Sequence, residues 1–329
     1  MTMRVGVIGT GFGARVVAPV FRATEGCEVI EVVSSRDSAA VTEMCARTDI
    51  DLVSVHSPPF LQVAHVEAAI MGGHAVLCDK PFGRTTAEAA EMCGVANAAG
   101  VVNLVNFELR FDPARQRLRE LVRSNAIGLV RHISWTHWSS ASRSPVRPHG
   151  WLFDRVMGGG WVGAWGSHAV DTLRWLVGEV VETRAELRTD VVERQDVRGE
   201  LRECDAEDGF TATMLLHNGI DVEINTSFAA PASLAPRLVL FGDEGVIECI
   251  GDSRIVVRDL QGIRTGWQRP KTEHDPHMDA MRQWAVVIGD AVAEGTAPAG
   301  APTFADGLAC RKVLDALIDG RDSLLRSDR

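Results

Sequence analysis

The sequence predicts an α/β chain that opens on a doubly wound parallel sheet and continues into a region of largely antiparallel strands. Three observations predict it. Short β-branched runs alternate with helical stretches through the first third of the chain, the pattern of successive βα units. The first of these runs passes directly into a glycine-rich turn and a helix. Residues 181–250 then read as strands separated by turns, with Asn218-Gly219 between two of them as a hairpin signal.

Taken in order, "RVGVIG" (4–9) is a strand, and "TGFGARVVAPVFRAT" (10–24) is a turn and a helix with apolar residues at helical spacing. "VIEVV" (29–33) is the second strand. Only 14 residues separate Arg36 from Asp51, room for a single crossover helix over residues 38–46. "DLVSVH" (51–56) is the third strand, followed by a turn and helix in "SPPFLQVAHVEAAIMGG" (57–73). "HAVLCDKPFG" (74–83) is a strand that ends in Asp79, Lys80 and Pro81, the last holding a rigid, cis-compatible turn. A helix over 87–99 and the strand "VVNLVNF" (101–107) complete the series. Further on, "RAELRTDVV" (184–192), "FTATMLLHNG" (210–219), "IDVEINTSF" (220–228) and "LVLFGDEGVIECI" (238–250) supply the antiparallel region.

At 329 residues two domains are expected, the first over 1–122 and the second over 123–329. The chain is 46% hydrophobic and 24% charged, an ordinary globular composition. A formal net charge of -10 argues against general affinity for nucleic acid or an anionic membrane, which needs clustered Lys and Arg. Seven scattered cysteines, none in a CxxC pair, suggest neither a disulfide framework nor a zinc ribbon. No apolar run reaches the roughly 18–20 residues that span a bilayer, and "MTMRVGVIGTGFG" enters a strand without the features of a signal peptide. A cytoplasmic protein is therefore expected.

The first turn carries Gly9, Gly11 and Ala14 in a GxGxxA pattern, with Phe12 and Gly13 between. In a strand-turn-helix context this is a dinucleotide fingerprint. Gly9 permits the turn, Gly11 admits a pyrophosphate, Ala14 allows close helix–strand packing, and the helix start offers free N–H groups. At the end of the second strand an NAD-specific site carries an acid for the ribose 2′-OH, whereas a 2′-phosphate needs small donors and an arginine. Ser34, Ser35 and Arg36 stand there, favouring NADP over NAD. The alternative is that Arg36 is a solvated charge and Asp37 a helix N-cap. Ser57, Pro58 and His65 follow the third strand and, with Asp79 and Lys80, face the same edge of the sheet as the glycine turn.

In "VIGTGFGA", "DLVSVHSPP", Asp79-Lys80-Pro81, "FELRFDP" (107–113), "GGGWVGAWGSHAVD" (158–171) and "FADGLACRKVLDAL" (304–317), the chain resembles the glucose-fructose oxidoreductase, inositol dehydrogenase and rhizopine-catabolism (Gfo/Idh/MocA) family over nearly its whole length. The resemblance implies a Rossmann-type first domain and a C-terminal α+β domain on an open, mostly antiparallel sheet, assembled as a homodimer or homotetramer. It implies hydride transfer between a nicotinamide and a secondary alcohol or carbonyl of a sugar or cyclitol. Such chemistry needs a proton relay, and the resemblance assigns it to Lys80 and His168. Many relatives carry an aspartate four residues before this histidine; here that position is Ala164. Asp154 and Glu108 are candidates to replace the acid, with Asp171, Arg110 and Trp165 as further substrate residues. Arg110 is equally readable as a domain-interface salt bridge, and Trp161 and Trp165 as an aromatic wall or as core. A metal site from His149, His168 and Asp171 has no supporting spacing. Arg143, Arg147 and His149, in "SSASRSPVRPHGW" (139–151), admit an anionic substrate or are simply solvated. The absent acid also leaves two other functions open: a cofactor-binding regulator without dehydrogenase activity, and a reductase of an imine or non-sugar aldehyde.

Overall fold

The computed structural model describes residues 2–270, 276–320 and 323–324. The chain divides into two compact units, one of Met1–Asp112 with Glu273–Arg311 and one of Pro113–Thr272 with Lys312–Arg329.

In the first unit, β1 (Met3–Ile8), β2 (Cys27–Val33), β3 (Leu52–Val55), β4 (Ala75–Cys78) and β5 (Asn103–Val105) form a parallel sheet of order β2-β1-β3-β4-β5. α1 (Ala18–Ala23), α2 (Ser38–Cys45), α3 (Pro59–Met71) and α4 (Thr86–Ala99) are the connections. The strand order reverses between β1 and β3, so the crevice at their carboxyl ends is the ligand-binding position of a doubly wound sheet. The single crossover helix expected before Asp51 is α2, and β2 is left at the sheet edge. Asp37 does cap that helix, accepting from the Ala40 amide at 3.1 Å.

The expected boundary at residue 122 differs from the compact units. The first closes at Asp112 and takes back residues 273–311, because α7 (Pro276–Glu294) covers the parallel sheet. Met281, Trp284, Ala285, Ile288 and Ala291 recur at helical spacing and pack with Val5, Val7, Phe21, Leu52 and Leu104. Trp284 is fully buried and stacks on Phe111, centroids 4.6 Å apart. Trp284→Ala should cost about 3–5 kcal/mol, read as a lowered midpoint in urea denaturation; a change below about 1 kcal/mol would contradict this packing.

In the second unit, α5 (Pro113–Arg123) and α6 (Ser167–Val177) accompany a nine-stranded sheet. Its strands are β6 (Val130–Trp138), β7 (Val180–Arg188), β10 (Gly209–Leu216), β11 (Asp221–Ser227), β12 (Arg237–Gly242), β13 (Val246–Ile250), β14 (Arg254–Asp259), β15 (Gly262–Gln268) and β16 (Ser323–Leu324). The order is β15-β14-β13-β12-β6-β11-β10-β7-β16, and every pair is antiparallel except β6 with β11. The Asn218-Gly219 hairpin joins β10 to β11, with Leu215 opposite Asp221 and Gly219 at φ +78°. A small hairpin of β8 (Glu193–Gln195) and β9 (Leu201–Glu203) stands apart from this sheet, and α8 (Phe304–Asp319) is the last helix among the described residues. No described helix is long and apolar enough to cross a membrane.

Candidate active site

The glycine turn after β1 is shaped by the end of β3. Gly9 has φ +131°, and a Cβ there would lie 2.6 Å from the His56 carbonyl oxygen. At Gly13 a Cβ would meet His56 Cβ at 3.0 Å and Val7 Cγ1 at 3.1 Å. Close helix–strand packing thus falls on Gly13, and Ala14, to which the fingerprint assigns it, is only half-buried. A Cβ on Gly11 would meet nothing within 4 Å. That opening, beside a helix start, is a cradle that suits the pyrophosphate of a dinucleotide. At the end of β2, Ser34 and Ser35 are half-buried, while Arg36 is exposed and makes no ion pair among the described residues.

The loops after β3 and β4 are tied together by buried polar groups. Ser57 Oγ and His65 Nδ1 lie 2.6 Å apart, and burial pushes the His65 imidazole down. Gln62, fully buried one helical turn before His65, donates to the Asp79 carbonyl at 3.0 Å and accepts from the Gly83 amide at 2.7 Å. Pro58 is the N-cap residue of α3. Asp79 accepts from the Lys80 amide at 2.9 Å through Oδ1, and its Oδ2 lies 3.1 Å from His56 Nδ1. Burial opposes the Asp79 charge, but the hydrogen bond and charge of His56, the charge of Lys80 and the Asn106 amide outweigh it and hold the carboxyl below its usual range. The Lys80–Pro81 peptide is cis. Phe82, next in the turn, is buried against Phe304, centroids 4.6 Å apart. Lys80 is half-buried, and of the 34 basic residues only Lys80, Lys271 and Lys312 are lysines.

Two expected substrate residues are buried in the first unit. Glu108 is fully buried, 2.8 Å from Nδ1 of His277 on α7, whose ring meets Phe12 edge-on at 5.9 Å. Arg110 is 5% exposed; it pairs with Asp306 at 2.8 Å and donates to the Gly300 carbonyl at 3.3 Å.

The remaining candidates belong to the second unit. His168 and Asp171 are buried on the first turns of α6, three residues apart and so on one face. The preceding glycine-rich segment is anchored by Glu207, whose carboxylate accepts from the Val162 amide at 2.9 Å. Gly160, at φ +111°, leaves space for that carboxylate, since a Cβ there would lie 2.2 Å from it. Trp161 is core: it stacks on Phe228 at 4.4 Å and donates to Thr226 Oγ1 at 2.8 Å. Trp165 is half-buried, in edge contact with Trp135 and His137. Burial, opposed by Asp252 and reinforced by Arg115, pushes the His137 imidazole down to about 4. Asp154 is half-buried, and its carboxylate closes a local turn by accepting from the Met157 amide at 3.1 Å. Arg143 and Arg147 are exposed, and their loop is pinned by buried Arg194, which donates to the Ser142 carbonyl at 2.5 Å and the Arg147 carbonyl at 3.2 Å. No three His, Cys, Asp or Glu side chains among the described residues gather as a metal site.

Gly9, Gly11, Phe12, Gly13, Ser34, Ser35, Arg36, Ser57, Pro58, His65, Asp79 and Lys80 therefore all follow carboxyl ends of parallel strands in one unit. His56, Gln62, Asn106, His277 and Glu207 escape a reading of sequence alone. For Gln62 a signal exists: it shares with His65 a helix face whose other members, Val66 and Ala69, are apolar.

Two family descriptions match this arrangement: "Oxidoreductase family, NAD-binding Rossmann fold" over residues 3–107 and "GFO/IDH/MocA C-terminal domain" over residues 115–248. The chain belongs to the Gfo/Idh/MocA oxidoreductase family. Among Gfo/Idh/MocA relatives, an uncharacterized oxidoreductase of Synechocystis sp. is 31% identical over 74% of this chain and 70% of its own length. Levoglucosan dehydrogenase of Pseudarthrobacter phenanthrenivorans is 25% identical over 82% of this chain and 78% of its own. A solved levoglucosan dehydrogenase in complex with NADH and L-sorbose superposes with a TM-score of 0.85 at 22% identity, covering 97% of each chain. At that identity the likeness establishes the Gfo/Idh/MocA fold alone.

Proposed function

We propose that the chain is an NAD(P)-dependent oxidoreductase acting on the CH–OH or C=O group of a sugar, cyclitol or similar polyhydroxylated compound, with Lys80 as its proton-transfer group and His168 as the partner in that relay. The observation that carries this reading is the placement of Lys80. In a chain whose other cations are almost all arginines, which do not release a proton, a lysine follows β4 on the same sheet edge as the glycine cradle, its amide fixed by the Asp79 carboxylate. A dinucleotide would be held by the Gly9–Gly13 turn, by Ser34, Ser35 and Arg36 at the adenosine end, and by the Ser57–Pro58 loop. When bound, it supplies or takes up the hydride. Lys80 gives a proton to the carbonyl oxygen in reduction and takes it from the hydroxyl in oxidation. The sugar class is supported by the relative named as a levoglucosan dehydrogenase. A homodimer or homotetramer is part of the same reading.

The cofactor favoured is NADP, since no acid closes β2 and Arg36 has no described carboxylate partner. Arg36→Ala should weaken NADPH binding by about 10–100-fold, as for loss of a hydrogen bond to a charged group worth about 1.5–3 kcal/mol, and leave NADH binding nearly unchanged. Fluorescence titrations of both nucleotides check this; equal losses for the two would refute the NADP assignment. A polyol and carbonyl screen that includes levoglucosan then identifies the substrate. A second reading, a regulator that binds the nucleotide without turning it over, is favoured by Ala164 in place of the family's aspartate. It predicts saturable NADPH binding with no oxidation across that screen.

A further inference from the structure

We propose that His56 is a positioning residue: it clamps the Asp79 carboxylate and, through it, fixes the peptide that carries Lys80. The inference rests on the reading of Lys80 as the proton-transfer group.

His56 directly follows β3, and its side chain is fully buried beneath the glycine turn. Both ring nitrogens are used: Nε2 lies 2.7 Å from Ser54 Oγ and Nδ1 lies 3.1 Å from Asp79 Oδ2. An ionised carboxylate only accepts, so Nδ1 carries a proton toward Asp79, and Nε2 meets the Ser54 hydroxyl. The second Asp79 oxygen accepts from the Lys80 amide at 2.9 Å and, at a long 3.4 Å, from Asn106 Nδ2. One carboxylate is thereby gripped by His56 on one oxygen while it holds the Lys80 backbone with the other. The titratable groups facing Asp79 are His56, Lys80 and the buried Cys78; Gln62 and Asn106 are neutral amides. Of these, His56 donates a close side-chain hydrogen bond to the carboxylate. His74, by contrast, turns its ring nitrogens to the backbone carbonyls of Ile50 and Cys45. His56 instead spends its donor on the turn that presents the lysine.

A carboxyl whose folded value is depressed contributes stability above its unfolded value and loses it as pH falls through the folded value. Removing His56 should therefore move the loss of the Asp79 anchor to higher pH. The test uses full-length protein labelled with carboxyl-13C aspartate, the Asp79 signal assigned by Asp79→Asn. His56→Ala should raise the Asp79 midpoint by about 1–3 pH units, and His56→Asn, whose side-chain amide donates, should recover part of that shift. An unmoved midpoint in folded His56→Ala, or no recovery in His56→Asn, overturns the proposal. Turnover of the compound found in the screen separates this inference from the reading beneath it. The expected result is a kcat about 10–100-fold lower in His56→Ala, as for a slightly misplaced catalytic group, with NADPH affinity retained. Unchanged kcat with an inactive Lys80→Ala overturns the role of His56 alone, whereas an active Lys80→Ala overturns both.

Discussion

Replacing Lys80 with alanine is expected to lower kcat by about two to four orders of magnitude, the range that a positioned general acid or base contributes, with NADPH or NADH still bound at near wild-type affinity. The two effects separate because Lys80 follows β4, whereas the glycine cradle follows β1 and its shape is set by Gly9, Gly13 and the backbone and Cβ of residue 56, which an alanine there would keep. Lys80→Arg sharpens the test. Arginine keeps the positive charge but does not give up a proton, so a purely electrostatic role predicts an active Lys80→Arg variant, and proton transfer predicts one nearly as poor as alanine. Steady-state kinetics together with nucleotide titration read both quantities. Full activity in either variant removes Lys80 from the chemistry.

The second large effect concerns the glycine turn, where two neighbouring substitutions should fail in different ways. A Cβ on Gly11 enters open space and touches no protein atom within 4 Å, so Gly11→Ala should fold normally. It would occupy the space left for the pyrophosphate, and a steric cost of about 1–3 kcal/mol corresponds to roughly 5–150-fold weaker nucleotide binding. Gly13→Ala drives its Cβ to 3.0 Å from His56 and 3.1 Å from Val7, both buried, so it should cost stability first and affinity as a consequence. Thermal unfolding without nucleotide distinguishes them: Gly13→Ala melts lower and Gly11→Ala does not. A Gly11→Ala protein that binds nucleotide like the wild type would place the cofactor elsewhere.

The parallel unit is legible in the sequence because each strand and helix announces itself locally. The β-branched runs that become β1, β2, β3, β4 and β5 are short and bounded by glycine or turn residues, and the fingerprint marks which end binds. The return of α7 to that unit is not legible. Its apolar stripe at Met281, Trp284, Ala285 and Ile288 shows that a face is buried, but a stripe does not name the sheet that buries it. Site residues divide along the same line. Lys80 and Gly11 stand out by motif, since their local context defines them. Glu108 and Arg110 attract attention by residue type, yet their pairing with His277 and Asp306 depends on α7 and the start of α8, which lie far along the chain. His56 reads as an ordinary core histidine until Asp79, 23 residues later, is seen to accept from it.

The most direct measurement follows deuterium transferred as hydride. NADPH carrying deuterium at both C4 positions of the nicotinamide is incubated with the protein and the carbonyl compounds of the screen, and products are examined by mass spectrometry for deuterium on the new carbinol carbon. The account predicts label in the product with wild-type protein and almost none with Lys80→Ala under conditions where both bind NADPH. Saturable binding of NADPH by the wild type, with both deuterium atoms retained on the nucleotide throughout, would contradict it and favour the regulator.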